Sequence, residues 1–234
     1  MSHTATIKIA LLIVVFGILT GFIFGIIFQR QIGIGNLLKR LGLNHNQLIH
    51  TELSARFQSL RNKPIPKGSI VFVGDSLIDL QEWNEVFPGF NVINRGVSGA
   101  TIEDLCGAFE YDGTRAVFCL IGANDIGRGT STRDFKKKFE RLLNSVDEND
   151  NFHVIAIPPF FSYGGVPIRQ GVIDEYNEII RELSASKGYK FIHTGSSNDW
   201  QRDDFECDGL HLNIKGYDKL INYLNPHIAI ANNK

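Results

Sequence analysis

Residues 69–80 read SIVFVGDSLIDL, and this stretch decides the fold of the chain. Its apolar run, Ile70 to Val73, is typical of a buried parallel strand. The apolar residues that follow have helical spacing: Leu77, Leu80, Trp83 and Phe87. Ser76 stands at the turn between strand and helix, at the sheet edge where open α/β folds bind their ligands. Because free N–H groups at a helix start favour negative charge, this geometry suits a nucleophilic serine beside an oxyanion site.

Downstream of residue 68, segments with strand character alternate with segments of helical periodicity. The predicted strands cover residues 70–73, 91–94, 116–121, 153–157 and 189–193. Such alternation is typical of a parallel sheet that is covered by helices on both faces. We therefore predict an α/β fold with a five-stranded parallel sheet, formed by one globular domain over residues 68–234 that is long enough to bury its own core.

The composition excludes several classes of function. The formal net charge of −1 indicates no excess of basic residues for binding nucleic acid, so no nucleic-acid partner is predicted. The three cysteines, Cys106, Cys119 and Cys207, form neither a CxxC pair nor an even disulfide framework. The histidines are scattered without a zinc-binding motif, and no dinucleotide fingerprint is present. We predict no metal and no cofactor.

The N-terminal end of the chain differs from the rest. Ile9 to Phe28 form an uncharged apolar run that is long enough, as a helix, to cross a bilayer core of about 30 Å. The run exceeds the usual signal-peptide core of about 7–15 residues, and no small-residue cleavage site follows it. We therefore predict a retained single-pass membrane anchor over residues 1–30, with a cleaved signal peptide as the alternative. Positive residues flank the run on both sides, so the side of the membrane on which the domain lies stays open.

Three glycines within the apolar run predict a further contact. Gly17, Gly21 and Gly25 recur every fourth residue and share one face of the predicted helix. This spacing lets two helix backbones approach closely, which favours a homodimer through this face. The alternative is that glycine is simply frequent in transmembrane helices. Both interpretations stay open.

Residues 31–67 are predicted to be an amphipathic helical linker between the anchor and the domain. The apolar residues with helical spacing in this segment are Ile49, Leu53, Phe57 and Leu60. Their face could pack on the downstream domain, contact lipid headgroups or pair with a second copy. The prolines of residues 63–68 then favour an extended connector, so the domain is expected to begin near Gly68.

Reactive side chains follow several of the predicted strands. Ser76, Gly96 and Asn124 each come after one, and Asp208 with His211 lies in the loop before the last helix. The carboxyl ends of parallel strands meet at one edge of a sheet, so these residues are expected to lie close together. They supply what acyl transfer requires: a serine that attacks a carbonyl, a base that takes its proton, and donors that hold the oxyanion.

Each residue type suits one role in this chemistry. His211 is the natural base, because imidazole is the side chain that exchanges protons near neutral pH. Asp208, three residues earlier, can bind the other ring nitrogen and orient the ring. The candidate oxyanion donors are the backbone N–H groups of Ser76 and Gly96 and the side-chain amide of Asn124.

The same residues also have ordinary structural interpretations. Ser76 could cap a helix, Gly96 could allow a tight turn, and Asn124 could form one. Asp208 could be a cap, and His211 could be an exposed loop histidine. Taken singly, each structural interpretation is the commoner one. The four signals in this order together favour the catalytic interpretation.

Four short motifs also carry a family resemblance: residues 74–77 (GDSL), 94–96 (NRG), 122–125 (GAND) and 208–211 (DGLH). Their order and spacing resemble the four sequence blocks of the SGNH hydrolases, also called GDSL-like lipases and esterases. The resemblance covers about residues 69 to 224 and implies a flavodoxin-like three-layer αβα sandwich. Residues 94–99 and 208–213 look most similar to the branch that contains platelet-activating-factor acetylhydrolase-like enzymes.

The resemblance also implies a role for each site residue. By it, Ser76 is the nucleophile, and Asp208 and His211 complete the catalytic triad. Gly96 and Asn124 join Ser76 in the oxyanion hole. The substrates of the family vary widely, so the resemblance leaves the substrate open.

The predicted function is a membrane-anchored serine esterase or lipase that hydrolyses a carboxylic ester through an acyl-enzyme. Residues 158–167 (PPFFSYGGVP) are rich in aromatics and are expected to border the site, where they could seat an acyl chain or equally be ordinary loop packing. Together with the predicted anchor, this favours a lipid or lysophospholipid ester as the substrate. Two alternatives stay open: O-deacetylation of an acetylated glycan, and a non-catalytic membrane-tethered binding domain on the same fold.

Overall fold

The computed structural model describes residues 55–146, 151–169 and 171–231. The predicted anchor over residues 1–30, its three glycines and most of the predicted linker lie outside the described residues. Within the described ranges, no helix is long and apolar enough to cross a membrane.

The regular elements of the described ranges are short. The strands are β1 (Ile70–Gly74), β2 (Val92–Gly96), β3 (Ala116–Leu120), β4 (Phe152–Ile155), β5 (Ser162–Tyr163), β6 (Val166–Pro167) and β7 (Lys190–Ile192). The helices are α1 (Ser76–Asp79), α2 (Trp83–Val86), α3 (Ile102–Leu105), α4 (Ala123–Gly127), α5 (Thr132–Asn144), α6 (Val172–Ser186) and α7 (Ile214–Ala231). Residues 55–61 are also helical, and Arg202–Asp204 forms a 3-10 turn.

The central sheet is parallel and has five strands, in the order β2-β1-β3-β4-β7. This confirms the predicted α/β fold with its five-stranded parallel sheet. The register pairs Gly74 with both Gly96 and Leu120, so β1, β2 and β3 end at the same level. The segments that follow these three strands therefore leave the sheet at one edge.

Aromatic side chains fill the core around β1. Phe72 stacks on Trp83 with ring centroids 4.2 Å apart and on Phe118 with centroids 5.2 Å apart. All three side chains are 0 % exposed. Stacked aromatic pairs contribute free energy beyond the area that they bury. The strand that leads to Ser76 is therefore fixed in a rigid core.

The segment after β1 folds as two short helices, although its helical spacing continues through α2. Asn94 Nδ2 donates to the carbonyl oxygen of Ile78 at 3.0 Å, and the Trp83 indole N–H donates to the same oxygen at 2.8 Å. These side chains engage a carbonyl group that a longer helix would use for its next backbone bond. The chain therefore turns after α1, and Leu80 is 57 % exposed.

The described end of the predicted amphipathic helix packs on the domain. Leu60 is buried, and the Arg61 guanidinium donates to the carbonyl oxygens of Gly107 and Ala108 at 2.9 and 3.1 Å. Of the three predicted partners, the domain is the one that this end of the helix contacts. The remainder of the predicted helix lies outside the described residues.

Candidate active site

Ser76 is the first residue of α1 and lies directly beyond β1. The turn depends on glycine, because a Cβ at Gly74 would lie 1.9 Å from the carbonyl oxygen of Leu120. The side chain of Asp75 caps the helix by accepting from the Leu77 N–H at 3.0 Å. The cap is therefore the aspartate, and the serine hydroxyl is left for other contacts.

Three of the predicted site residues form one chain of hydrogen bonds. His211 Nε2 lies 2.9 Å from Ser76 Oγ, and His211 Nδ1 lies 2.5 Å from Asp208 Oδ2. An ionised carboxylate only accepts hydrogen bonds, so Nδ1 carries the ring proton and Nε2 presents a lone pair to the serine hydroxyl. In this arrangement His211 can take the proton of Ser76.

Local hydrogen bonds favour the ionised form of Asp208. Burial acts to raise the pKa of this carboxyl group, but donors around it outweigh burial and lower the pKa overall. The backbone N–H groups of Leu210 and His211 donate to Oδ1 at 2.9 and 3.1 Å. The carboxylate is thereby kept ready to accept from the imidazole.

The loop of residues 205–212 carries both the aspartate and the histidine and is closed by a β-bridge between its two ends. Arg202 clamps this loop by donating to the carbonyl oxygens of Glu206 and Cys207, both at 2.7 Å. Backbone and guanidinium hydrogen bonds therefore fix the loop that carries the base, and its two ends, Phe205 and Leu212, are buried.

Asn124 lies on α4, directly beyond β3, and its side-chain amide is held at both ends. Nδ2 donates to the carbonyl oxygen of Ala100 at 2.9 Å, and Oδ1 accepts from the Tyr163 hydroxyl at 3.0 Å. An amide nitrogen carries two N–H groups, so one remains for an oxyanion. Asn124 is only 6 % exposed, and a donor shielded from water interacts more strongly with a developing charge.

The structure does not leave the N–H of Gly96 available as predicted. This N–H donates to the side-chain oxygen of Asn94 at 2.8 Å. A Cβ at Gly96 would lie 2.3 Å from the backbone nitrogen of Asp79, so the glycine permits α1 to pack closely on β2. The observed role of Gly96 is close packing, and its N–H is already bonded.

The backbone N–H of Gly99 is free to bind an oxyanion, which is the role that the sequence predicted for the N–H of Gly96. Gly99 precedes Ala100, whose carbonyl binds the Asn124 amide, and its N–H has no hydrogen-bond partner among the described residues. Its φ of +82° also favours glycine. The sequence does contain this second glycine within residues 94–99, so Gly99 could have been considered as a donor. The choice between the two glycines depends on the hydrogen bond from the Gly96 N–H to Asn94, which only the structure shows.

Asp125, the neighbour of Asn124, has a structural role. Its buried carboxylate accepts from the Ile102 N–H at 2.9 Å and from Lys138 Nζ at 3.1 Å. These contacts connect α4 to the helices α3 and α5. Asp125 therefore fixes the position of the helix that carries the candidate oxyanion donor.

Asp75 is a second carboxyl group beside the nucleophile and is completely buried. Burial raises its pKa to about 7, against the opposing effects of the Leu77 N–H and the nearby His211. This side chain therefore changes its charge near neutral pH, one residue from Ser76.

The thiol groups lie outside the chain of hydrogen bonds from Ser76 to Asp208. Within the described ranges, no group of three or more His, Cys, Asp or Glu side chains could hold a metal ion. All three cysteines are free thiols. Burial raises the pKa of Cys119, and Cys207 lies in the loop of residues 205–212, where it is exposed and its backbone carbonyl accepts from Arg202.

The aromatic loop that was expected to border the site contains a β-hairpin. Its strands β5 and β6 pair antiparallel around a turn at residues 164–165. Ser162 Oγ donates to the carbonyl oxygen of Asp208 at 2.5 Å, and the Phe161 N–H donates to that of Gly209 at 2.8 Å. The hairpin therefore contacts the loop that carries the base.

A cavity of about 400 Å³ lies beside this hairpin. Phe160, Phe161 and Trp200 line part of it, and Arg169 and Arg202 line another part. Its volume falls in the range of small-molecule sites, which is roughly 300–1,000 Å³. Ser76, Asp208 and His211 are not among the residues that line it, so the cavity lies beside the site and not around the nucleophile.

The fold and the hydrogen-bonded serine, histidine and aspartate define the class of serine hydrolases. Residues 72–219, more than half of the chain, match the GDSL-like lipase/acylhydrolase family. The chain belongs to this family, which confirms both the resemblance and the prediction of a hydrolase. No curated protein sequence matches the chain.

Solved structures of similar fold are matched over nearly their whole length. A candidate platelet activating factor from Streptococcus pneumonia gives a TM-score of 0.66 at 22 % identity, over 78 % of this chain and 95 % of that one. The lipase/acylhydrolase from Enterococcus faecalis gives 0.52 at 21 % identity, over 70 % and 96 %. An acetylxylan esterase from Geobacillus stearothermophilus gives 0.52 at 16 % identity, over 71 % and 96 %. At these identities the likeness shows the shared fold alone.

Proposed function

We propose that this protein is a serine esterase that hydrolyses a carboxylic ester through an acyl-enzyme on Ser76. The observation that carries the proposal is the chain of hydrogen bonds from Ser76 through His211 to Asp208, at 2.9 and 2.5 Å. Such a chain lets the histidine take the serine proton while the carboxylate stabilises the imidazolium that forms.

The reaction proceeds in two halves. Ser76 Oγ attacks the ester carbonyl carbon as its proton moves to His211 Nε2, and a tetrahedral oxyanion forms. The imidazolium then gives this proton to the leaving alcohol oxygen, and the acyl group stays on Ser76. In the second half, water loses a proton to His211 Nε2 as it attacks the acyl carbonyl carbon. The bond from that carbon to Ser76 Oγ then breaks while the imidazolium returns the proton to Oγ, which releases the carboxylic acid and the free serine.

Three donors form the proposed oxyanion hole: the N–H of Ser76, the N–H of Gly99 and Nδ2 of Asn124. Gly99 replaces Gly96 in this set, because the N–H of Gly96 is bonded to Asn94. The N–H of Ser76 is the first of a helix and has no partner within that helix. Removing one such donor typically costs ~2.7–4 kcal/mol of transition-state stabilisation.

The substrate that we favour is a lipid or lysophospholipid ester. Support comes from the aromatic loop beside the base, where Phe161 is partly exposed in the cavity. Phe160 and Trp200 also line the cavity but are only 4 % and 2 % exposed. The predicted membrane anchor over residues 1–30 would hold the domain at the surface where such esters occur. A single-pass membrane enzyme, with Gly17, Gly21 and Gly25 as its dimer face, belongs to the same proposal.

An acetylated glycan is the second candidate substrate, with O-deacetylation as the reaction. One structural relative is an acetylxylan esterase, and an acetyl group needs little apolar surface. Rates on acetyl, butyryl and octanoyl p-nitrophenyl esters separate the candidates. A rate that rises with chain length supports the lipid ester, whereas a steep preference for acetyl supports the glycan.

Replacing the nucleophile tests the proposed reaction. Ser76→Ala is expected to lower kcat/KM for p-nitrophenyl acetate by roughly 10⁴-fold or more, because the attacking oxygen is removed. The matched control is Ser184→Ala on α6, which removes a buried hydroxyl that donates to the Ile180 carbonyl at 2.7 Å. This control should keep full activity. Hydrolysis by Ser76→Ala at the rate of the control would overturn the proposed function.

A further inference from the structure

Tyr163 reaches from the hairpin to the side chain of Asn124. The two residues lie on β5 and α4, and Tyr163 Oη is 3.0 Å from Asn124 Oδ1. The proton transfers and the three oxyanion donors of the proposed reaction do not include this tyrosine. It nevertheless contacts Asn124, which is one of those three donors.

The direction of this hydrogen bond follows from the other end of the amide. The backbone carbonyl of Ala100 can only accept, so the Asn124 atom 2.9 Å from it is the nitrogen. The atom that faces Tyr163 is therefore the amide oxygen, and the tyrosine hydroxyl donates to it. With both ends bonded, the direction of the second N–H of Asn124 is fixed.

The ring of Tyr163 is held independently of its hydroxyl group. A Cβ at Gly127, the last residue of α4, would lie 2.1 Å from Tyr163 Cδ2. The glycine therefore makes room for the ring against the same helix that carries Asn124. The packing of the ring and the hydrogen bond of the hydroxyl group thus both hold Tyr163 against α4.

The hairpin is itself bonded to the loop of the catalytic base. Ser162 donates to the Asp208 carbonyl, and Phe161 donates to the Gly209 carbonyl. Tyr163, next along the strand, therefore sets the Asn124 amide relative to the base. Oxyanion donors act best at about 2.7–3.1 Å from the developing charge, so small rotations of this amide matter.

We propose that Tyr163 is a positioning residue of the oxyanion hole: it holds the Asn124 amide so that its second N–H faces the oxyanion. Donation to the amide oxygen also polarises the amide and strengthens the N–H donor at its other end. This inference rests on the proposed esterase function of the same site. It assigns to the hairpin a role in catalysis in addition to any contact with substrate.

A double-mutant comparison tests the role. Tyr163→Phe keeps the ring and removes the hydroxyl, so we expect kcat to fall about tenfold, with KM for p-nitrophenyl acetate changed by less than about twofold. Asn124→Ala should lower kcat by roughly 10²–10³-fold. Adding Tyr163→Phe to Asn124→Ala should cause no further loss, because the tyrosine acts through the amide. Gly127→Ala, which displaces the ring, should lower kcat only when Asn124 is present.

The matched control is Tyr176→Phe, which removes a hydroxyl that donates to the Thr130 carbonyl at 2.6 Å. Its kcat should equal that of the wild type even where its melting temperature falls as far as that of Tyr163→Phe. The inference is overturned if Tyr163→Phe keeps the kcat of this control, changes KM instead, or multiplies the loss of Asn124→Ala. If Ser76→Ala and Asn124→Ala are themselves fully active, the proposed function fails and the positioning role fails with it.

Discussion

The two halves of the candidate triad are built into the molecule in different ways. Ser76 stands at the end of a strand whose residues are all buried and is itself 7 % exposed. The side chains of His211 and Asp208 lie on a loop and are 28 % and 45 % exposed. The core of the sheet fixes the serine, whereas hydrogen bonds near the surface fix the base and its partner.

This difference separates stability from activity. Buried apolar surface supports the whole domain, whereas a single hydrogen bond contributes only about 1 kcal/mol to its stability. Damage to the half that carries the serine should therefore unfold the domain. Damage to the half that carries the base should leave the domain folded and lower its rate. Glycine-to-alanine substitutions in each half make the comparison with the smallest chemical change.

The largest effect is expected at Gly74, in the half that carries the serine. Its added Cβ would lie 1.9 Å from the Leu120 carbonyl oxygen, between two central strands that cannot move apart. Gly74→Ala should lower the free energy of unfolding by ~4 kcal/mol or more, measured by urea denaturation. Gly89→Ala, where a Cβ meets no atom within 4 Å, is the control. Equal stability of the two variants would contradict a rigid core behind Ser76.

The same buried half should also respond to pH through Asp75. Its pKa is raised from 3.8 to about 7, so the folded state binds this proton more tightly than the unfolded state. The resulting stabilisation is complete below about pH 3.8 and is lost as the pH rises through about 7. Its upper size is roughly 4 kcal/mol. Urea denaturation from pH 4 to pH 8 measures it.

A pair of aspartate substitutions isolates this pH effect. Asp75→Asn should remove it, so the difference in stability between wild type and variant changes across the window. Asp112→Asn replaces an aspartate whose side chain is 92 % exposed and should leave the pH dependence unchanged. A wild-type pH dependence in both variants would show that Asp75 does not titrate in this range.

The smallest effect on stability is expected at Gly209, in the half that carries the base. Its φ is +73°, and a Cβ would lie 2.5 Å from Ser162 Oγ. Gly209→Ala should cost only about 1–3 kcal/mol of stability. It should lower kcat by about 10- to 100-fold, because the loop shifts against the hairpin.

A second glycine separates backbone strain from this contact. Gly188 has a φ of +75°, and a Cβ there meets no atom within 4 Å. Gly188→Ala should therefore show a comparable loss of stability with wild-type kcat. If Gly209→Ala and Gly188→Ala have the same kcat, the contact between loop and hairpin does not position the base.

Much of the sheet was predictable because its central strands are buried on both faces. Every residue of β1 and β3 is buried, and such strands read as continuous apolar runs. The break between α1 and α2 was not predictable from periodicity. It depends on Asn94 and Trp83, whose side chains reach the carbonyl of Ile78 only in the folded chain.

The candidate site was predictable where residue type carries the chemistry. Ser76, Asp208 and His211 were identified from their order, and the structure brings them together. The choice of Gly96 over Gly99 could not be checked in the sequence, because it depends on which N–H is already bonded.

The role proposed for Tyr163 was likewise not predictable from the sequence, because it depends on a contact between residues that are distant in the chain. The two glycines at residues 164–165 are a known hairpin signal that the sequence-based prediction left unused. Even with this signal, no local pattern encodes a contact between Tyr163 and Asn124, which are 39 positions apart.

The turn of the hairpin offers a site for protein engineering. Its two glycines have φ values of +56° and +80°, and a Cβ at either would meet no atom within 4 Å. The turn therefore has open space around it, while the adjacent strand is bonded to Asp208 and Asn124. A foreign segment inserted between residues 164 and 165 would therefore meet open space, above a strand that is fixed by its bonds to the site.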